Sequence, residues 1–205
     1  MSRDDPASWI SSLIGSACPP VVAEGGARLI CPQSWRGDCA YLHVLHGPLD
    51  PQGIAELEHE YQRKLPPQLR AFYEAMNGVQ LFETSMNIYG LVGDLIDRTS
   101  GIPKPFCPRV AVRCFPAFHP RWHRLGYFPI GSLVGYARKA IIACDGGDDI
   151  VVIDEESGAT LRRYETVLTA LRMLGAELQS SWSPEGALIG PEQQLDQIFL
   201  TTGSA

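Results

Sequence analysis

Two adjacent prolines, Pro66 and Pro67, separate two segments with helical periodicity. Before them, apolar residues recur every three or four positions, at Ile54, Leu57, Tyr61 and Leu65. After them, the same spacing recurs at Leu69, Phe72, Tyr73 and Met76. One helix cannot run through this point, because proline disfavours helical geometry in the residue before it and is tolerated only in a first helical turn. The sequence therefore predicts two amphipathic helices joined by a Pro-Pro corner, the second ending at Asn77-Gly78.

Short apolar runs bounded by turn residues predict strands in most of the remaining chain. They cover residues 27–31, 40–45, 87–92, 127–134, 140–144, 150–153 and 159–163, with clear turns at 146–147 and 156–158. A last helix carries an apolar face formed by Tyr164, Val167, Leu168, Leu171, Leu174 and Leu178. This order predicts an α+β fold with an N-terminal helical pair, a central, mainly antiparallel sheet of about five to six strands, and a closing C-terminal helix.

The chain divides into three predicted parts. Residues 1–50 form an N-terminal extension with short strands, residues 51–182 form the domain, and residues 183–205 form a loosely attached C-terminal tail. The stretch 97–126 contains five prolines, which predicts a long irregular loop. A chain of 205 residues is long enough for one domain with a substantial core.

Composition narrows the class of protein. The chain is 45% hydrophobic and 20% charged, which is typical of a globular protein, and no apolar run is long enough to cross a bilayer. The N-terminus opens with two acids, and the apolar stretch after them is too short for a signal peptide. We therefore expect a cytoplasmic protein with no membrane partner, in which the six cysteines are mainly small buried residues.

The residues around the proline corner resemble a known signature. The run 54–58, the Leu65-Pro66-Pro67 corner, Phe72-Tyr73 and Met76-Asn77-Gly78 resemble the signature of the SUKH superfamily, which includes fungal cell-wall-synthesis regulators and many bacterial toxin-immunity proteins. Phe128-Pro129-Ile130-Gly131 and the segments after it are similar to the rest of that domain. The resemblance covers roughly residues 50–180. It implies protein binding without catalysis, and structural roles for Glu58, Leu65, Pro66, Phe72, Asn77, Gly78 and Gly131.

Glu58 is the unusual member of this set, because it lies on the apolar side of the first predicted helix, beside Leu57. A buried carboxylate is costly unless it meets hydrogen-bond donors. We expect Glu58 to accept hydrogen bonds from backbone N–H groups or a nearby side chain and so to fix the packing of the helical pair. The alternative is a catalytic acid, which needs a second perturbed group in the same cleft, and the sequence nominates none.

Charge is segregated in the second half of the chain. Residues 98–144 contain no acid but eight bases: Arg98, Lys104, Arg109, Arg113, Arg121, Arg124, Arg138 and Lys139. Six acids follow with no base between them: Asp145, Asp148, Asp149, Asp154, Glu155 and Glu156. These acids are either solvated turns or a patch that attracts a basic partner.

The basic stretch allows two interpretations. Its aromatic and arginine side chains, Arg121 and Trp122 among them, are types that protein interfaces prefer, so they are candidates for the same partner interface. The stretch could instead contact single-stranded nucleic acid through stacking and phosphate contacts. The net charge of −6 argues against nucleic acid as the partner.

The sequence gives weaker evidence for a metal site or a catalytic residue than for a binding surface. Cys107, Cys114, His119 and His123 suggest a zinc site, but the first spacing is too long for a zinc knuckle. Cys144 precedes Asp145 and could be a nucleophile, although the acids that follow disfavour a thiolate. No phosphate-binding glycine loop or nucleophile elbow is present. We therefore expect no catalytic residues, metal, cofactor or small-molecule substrate.

These observations favour a protein that acts by binding. The leading hypothesis is an immunity protein that neutralises a cognate toxin, with Asp145, Asp148, Asp149, Asp154, Glu155, Glu156, Arg121 and Trp122 as partner-binding residues. The alternative is a regulatory scaffold that binds another protein and has no connection to toxins.

Overall fold

The structure is a computed structural model that describes residues 20–23, 26–33, 41–91, 122, 124–135, 137–146, 149–183, 186–190, 196 and 199. Its strands are β1 (Val21–Val22), β2 (Arg28–Pro32), β3 (Tyr41–Leu45), β4 (Val79–Leu81), β5 (Met86–Ile88), β6 (Phe128–Val134), β7 (Lys139–Cys144), β8 (Ile150–Asp154) and β9 (Thr160–Tyr164). Its helices are α1 (Pro51–Tyr61), α2 (Pro67–Ala75) and α3 (Val167–Gln179). A 3-10 turn, Phe82–Thr84, joins β4 to β5.

All nine described strands form one antiparallel sheet in which each strand pairs with its neighbours in sequence. The α+β class is therefore confirmed, but the predicted size of five to six strands is wrong. The sheet is larger because the strands before residue 50 join it, through the pairs Val44↔Gln80 and Leu45↔Val79 between β3 and β4. Strand β4 follows Asn77-Gly78 directly and has only three residues, too few for a period-two pattern to show.

The helical pair forms on both sides of the proline corner, as predicted. Asp50 is the N-cap of α1, and its Oδ1 accepts a hydrogen bond of 2.7 Å from the Gly53 N–H. Helix α2 begins with Pro67. Helix α1 ends at Tyr61, one turn earlier than the apolar stripe indicates, because Gln62 is left-handed with a φ of 53°. Extended residues then carry Leu65 back into the core, where it is 6% exposed.

The core lies between the helices and the central strands. Every residue of β8 is buried, so both faces of that strand are covered. Helix α2 contacts α1 and α3, and α3 contacts β9. The C-terminal tail differs from its prediction, because Phe199 is 3% exposed and packs in the main core. No helix in the described ranges is long and apolar enough to cross a membrane.

Strand β6 passes β5 at very close range. A bulge at Ile130 shifts the register, so that Pro129 pairs with Ala143 and Gly131 with Ile142. Proline is tolerated at a bulge, and its carbonyl oxygen accepts a 3.0 Å hydrogen bond from the Tyr61 hydroxyl. A Cβ at Gly131 would overlap the carbonyl oxygen of Asn87 on β5. The glycine is therefore required by the distance between the two backbones.

We predict that Gly131→Ala lowers the free energy of unfolding by about 2 kcal/mol or more, because the added methyl group forces β5 and β6 apart. Gly146→Ala is the matched control, since a Cβ there meets no atom within 4 Å. Urea denaturation of the two variants measures the difference. Equal stability of the two variants would contradict the close approach.

Candidate functional site: a charged groove at one end of the sheet

The β6–β7 turn and the β8–β9 turn lie at the same end of the antiparallel sheet. Lys139 opens β7 beside the end of β8, where the Glu155 N–H donates a 3.1 Å hydrogen bond to the Lys139 carbonyl oxygen. Between the turns is an open groove of about 340 Å³. Its lining residues are Val134, Gly135, Ala137, Arg138, Lys139, Asp154, Glu155 and Glu156. Five of these eight lining residues are charged, and they come from two hairpins.

An ion pair between Arg138 and Asp154 connects the two hairpins, with 2.7 Å between Nη2 and Oδ2. Asp154 is buried, and its other oxygen accepts hydrogen bonds from the backbone N–H and the hydroxyl of Ser157. These two Ser157 bonds and the Arg138 contact lower the pKa of Asp154 to about 2. The carboxylate stays ionised near neutral pH and fixes the geometry of the groove.

Three charged side chains stand at the exposed rim of the groove. Lys139 lies on one side, and Glu155 and Glu156 lie on the β8–β9 turn. Among the described lining residues, Arg138 and Asp154 pair with each other, and the two acids Glu155 and Glu156 outnumber the one base Lys139. Exposed carboxylates attract positively charged groups on a partner.

The acidic run is divided between the two ends of β8. Asp145 and Asp149 lie at the β7–β8 turn, about 15 Å from the groove for a strand of five residues. There Arg163 of β9 binds both carboxylates, Asp145 closely and Asp149 at 3.0 Å. The five acids of this run that the structure describes therefore do not form one continuous patch, and a base that is distant in sequence partly neutralises two of them.

Two of the predicted partner-binding residues are not on the surface. Trp122 is 4% exposed and packs in the core, and Asp154 is buried in its network. The expectation that these side chains are accessible to a partner is therefore wrong. Arg121 and Asp148 lie outside the described residues, as does most of the basic stretch. Glu155 and Glu156 are exposed, as predicted.

Glu58, like Asp154, is a buried carboxylate that contacts three hydrogen-bond donors. Its Oε2 lies 2.6 Å from Lys64 Nζ, and its Oε1 lies 2.6 Å from Arg70 Nη2 and 3.2 Å from the backbone nitrogen of Leu65. The Lys64 hydrogen bond contributes most to lowering the pKa of Glu58, and Leu65 and Arg70 act in the same direction, against the effect of burial. Glu58 accepts hydrogen bonds from a backbone N–H and from nearby side chains, as expected, and its role in fixing the helical pair stays a prediction. A general acid needs the opposite shift in pKa.

The Asn77-Gly78 pair is also structural. The Asn77 side chain forms two hydrogen bonds of 2.8 Å with the backbone of Leu91, one as donor and one as acceptor. Gly78 has a φ of +89°, the left-handed geometry that the sequence indicates, although α2 itself ends at Ala75. Phe72 and Leu65 pack in the core, and Pro66 caps α2.

The other candidate chemistry finds little support in the described residues. Cys144 is fully buried, so a nucleophilic role would require opening of the core. The four Cys and His residues of the suggested zinc site lie outside the described residues. Within the described ranges, no group of three or more His, Cys, Asp or Glu side chains is arranged to hold a metal ion.

Two buried histidines were missed by the sequence analysis. His43 and His46 lie in and just after β3, and burial lowers the pKa of each from 6.5 to about 4. His43 Nδ1 accepts a hydrogen bond from the Phe82 N–H and its ring packs edge-on against the Phe82 ring at 4.8 Å. The sequence signal for their burial is their position in, or directly after, a short apolar strand.

The chain was compared with protein-family models, with curated proteins and with solved structures, and none of the three comparisons found a match.

We predict that Glu58→Ala lowers the free energy of unfolding by about 3 kcal/mol, because it leaves the Leu65 N–H and Arg70 without their acceptor. Lys64→Ala should have an effect below about 1 kcal/mol, because Lys64 is 87% exposed. Glu56→Ala, on the exposed side of the same helix, is the control. Urea denaturation ranks the three variants. Similar losses for Glu58→Ala and Glu56→Ala would contradict the role of Glu58.

We predict that the two buried histidines lower the free energy of unfolding in mild acid. Because their pKa values are lower in the folded chain than in the unfolded chain, the unfolded chain binds more protons between pH 6.5 and about 4. The free energy of unfolding should therefore fall by about 2 kcal/mol for each imidazole as the pH drops from 6.5 to about 5. Urea denaturation across this range of pH tests this. His46→Gln should reduce the slope by about half, whereas His59→Gln leaves both buried imidazoles in place.

Proposed function

We propose that this chain is a cytoplasmic, non-catalytic protein-binding domain of the SUKH type that acts as an immunity protein. It binds a cognate bacterial toxin directly and blocks it as a stoichiometric inhibitor, without turnover. The proposed contact surface is the charged groove, with Glu155 and Glu156 as the residues that meet the partner.

The observation that carries the proposal is the placement of these two acids on a rigid rim. The Arg138–Asp154 pair and the Ser157 hydrogen bonds hold the β8–β9 turn in one conformation, so little ordering is needed when a partner binds. Toxins that act on nucleic acids carry basic surfaces to hold phosphates. Exposed carboxylates on a fixed turn would attract such a surface and orient it.

A second argument comes from the residues that carry the family resemblance. Glu58, Asn77 and Gly131 are each engaged in contacts within the fold, which agrees with structural roles for these positions. Partner specificity would then reside in the turns, which can vary without affecting the core.

The direct test is co-purification of the tagged chain with a catalytically inactivated toxin encoded beside its gene. A one-to-one complex, together with protection of cells from the active toxin, is the expected result. A well-folded chain that neither forms the complex nor protects the cells would refute the immunity function and favour the regulatory scaffold.

In that complex, we predict that Glu155→Lys/Glu156→Lys weakens binding by about tenfold or more and reduces its dependence on salt, because the attraction at the rim is reversed. Glu165→Lys is the matched control. It makes the same Glu→Lys exchange once, half the change of charge of the double variant, at an exposed position after β9, at the opposite end of the sheet. Surface plasmon resonance over a salt series measures both. Equal affinities of the two variants would exclude the groove from the interface.

A further inference from the structure

Two residues of the C-terminal segment contact the β6–β7 turn, whose described residues are Gly135, Ala137 and Arg138. The Asp196 carboxylate accepts a hydrogen bond from the backbone N–H of Ala137, with its two oxygens 3.3 and 3.2 Å from the nitrogen. Phe199 is 3% exposed, and its ring centre lies 5.4 Å from the Arg138 guanidinium carbon. Both side chains therefore reach the same turn, although they are three positions apart in the sequence.

Gly135 gives the turn a shape that fits these two groups. A Cβ on Gly135 would overlap the Asp196 carboxylate and would lie 2.7 Å from Cε2 of Phe199. The φ of Gly135 is outside the left-handed region, so the backbone itself does not require glycine. The absent side chain instead leaves room for a carboxylate and an aromatic ring from another segment.

Arg138 links this contact to the charged groove. Its guanidinium lies over the Phe199 ring, binds Asp154 at 2.7 Å and lines the groove. A change in what occupies the β6–β7 turn would therefore alter the groove through Arg138.

We propose that the β6–β7 turn is a docking site for a peptide segment with a carboxylate followed, three residues later, by an aromatic ring. The chain's own C-terminal segment fills this site as an intramolecular ligand, through Asp196 and Phe199. A partner segment of the same chemistry displaces it and repositions Arg138 in the groove. The partner need not be a toxin, so binding at this turn can be tested without one, and its failure is distinguishable from failure of the immunity function.

The test uses a fluorescent peptide with the sequence of residues 191–203 and the full-length chain carrying Asp196→Ala/Phe199→Ala. This variant removes the two side chains that occupy the site and changes no residue of the turn itself. We expect it to bind the peptide at least about tenfold more tightly than the unaltered chain does, because an occupied site lowers the apparent affinity. Fluorescence anisotropy measures both affinities.

Two controls make the result specific. Adding Gly135→Ala to the double variant should abolish binding, because the methyl group fills the site. A peptide with the same two alanine replacements should not bind. Equal affinity for the unaltered chain and the double variant, or no binding by a double variant with an unchanged circular dichroism spectrum, would overturn the proposal.

A second experiment applies if the double variant does not fold. Chymotrypsin cleaves after phenylalanine, but Phe199 is buried in the unaltered chain. Gly135→Ala alone should expel the segment and accelerate cleavage after Phe199 by about tenfold, as measured by mass spectrometry. Unchanged cleavage would show that the segment is not held at this turn and would overturn the proposal.

Discussion

The buried carboxylate of Glu58 is the contact on which the arrangement of the helices depends. It lies on α1 and accepts hydrogen bonds from Lys64 and Leu65 in the connecting segment and from Arg70 on α2, so one group fixes both helices and the corner between them. A buried charge is tolerated only when its hydrogen-bonding capacity is met, and here three donors meet it. Because α2 also contacts α3, the orientation set at Glu58 extends to the closing helix.

Close backbone contacts then join the helical pair to the sheet. The Asn77 side chain donates a hydrogen bond to the Leu91 carbonyl oxygen and accepts one from the Leu91 N–H. A Cβ on Gly90 would overlap the Asn77 carbonyl oxygen. At Gly131 the backbones of β6 and β5 likewise lie too close together for a side chain between them. Such contacts allow almost no substitution, since packed backbones cannot yield to an extra methyl group. Asn77, Gly90 and Gly131 therefore maintain the contact between the helical pair and the sheet and between neighbouring strands.

Some of the acidic side chains stabilise the fold, and others are exposed to solvent. Asp154 is held by Arg138 and Ser157, and Asp145 and Asp149 share Arg163, so these acids mainly stabilise their own turns. Glu155 and Glu156 remain exposed beside the groove. A protein that recognises a partner by charge needs both kinds of acid, because the exposed ones orient the partner only when the turn beneath them is fixed.

Local features of the sequence determined the helical pair, the Pro-Pro corner, most of the strands and the need of Glu58 for donors, because helix periodicity, proline geometry and the cost of a buried carboxylate act over a few residues. Tertiary structure alone decided which distant residues meet. Strand register brought Arg163 to Asp145 and Arg138 to Asp154 and placed β1 to β3 in the common sheet. Packing of the core buried Trp122, a residue type that the sequence alone favours for an interface. Those outcomes depend on pairing between strands and on packing of the whole core, neither of which leaves a periodic signal in the chain.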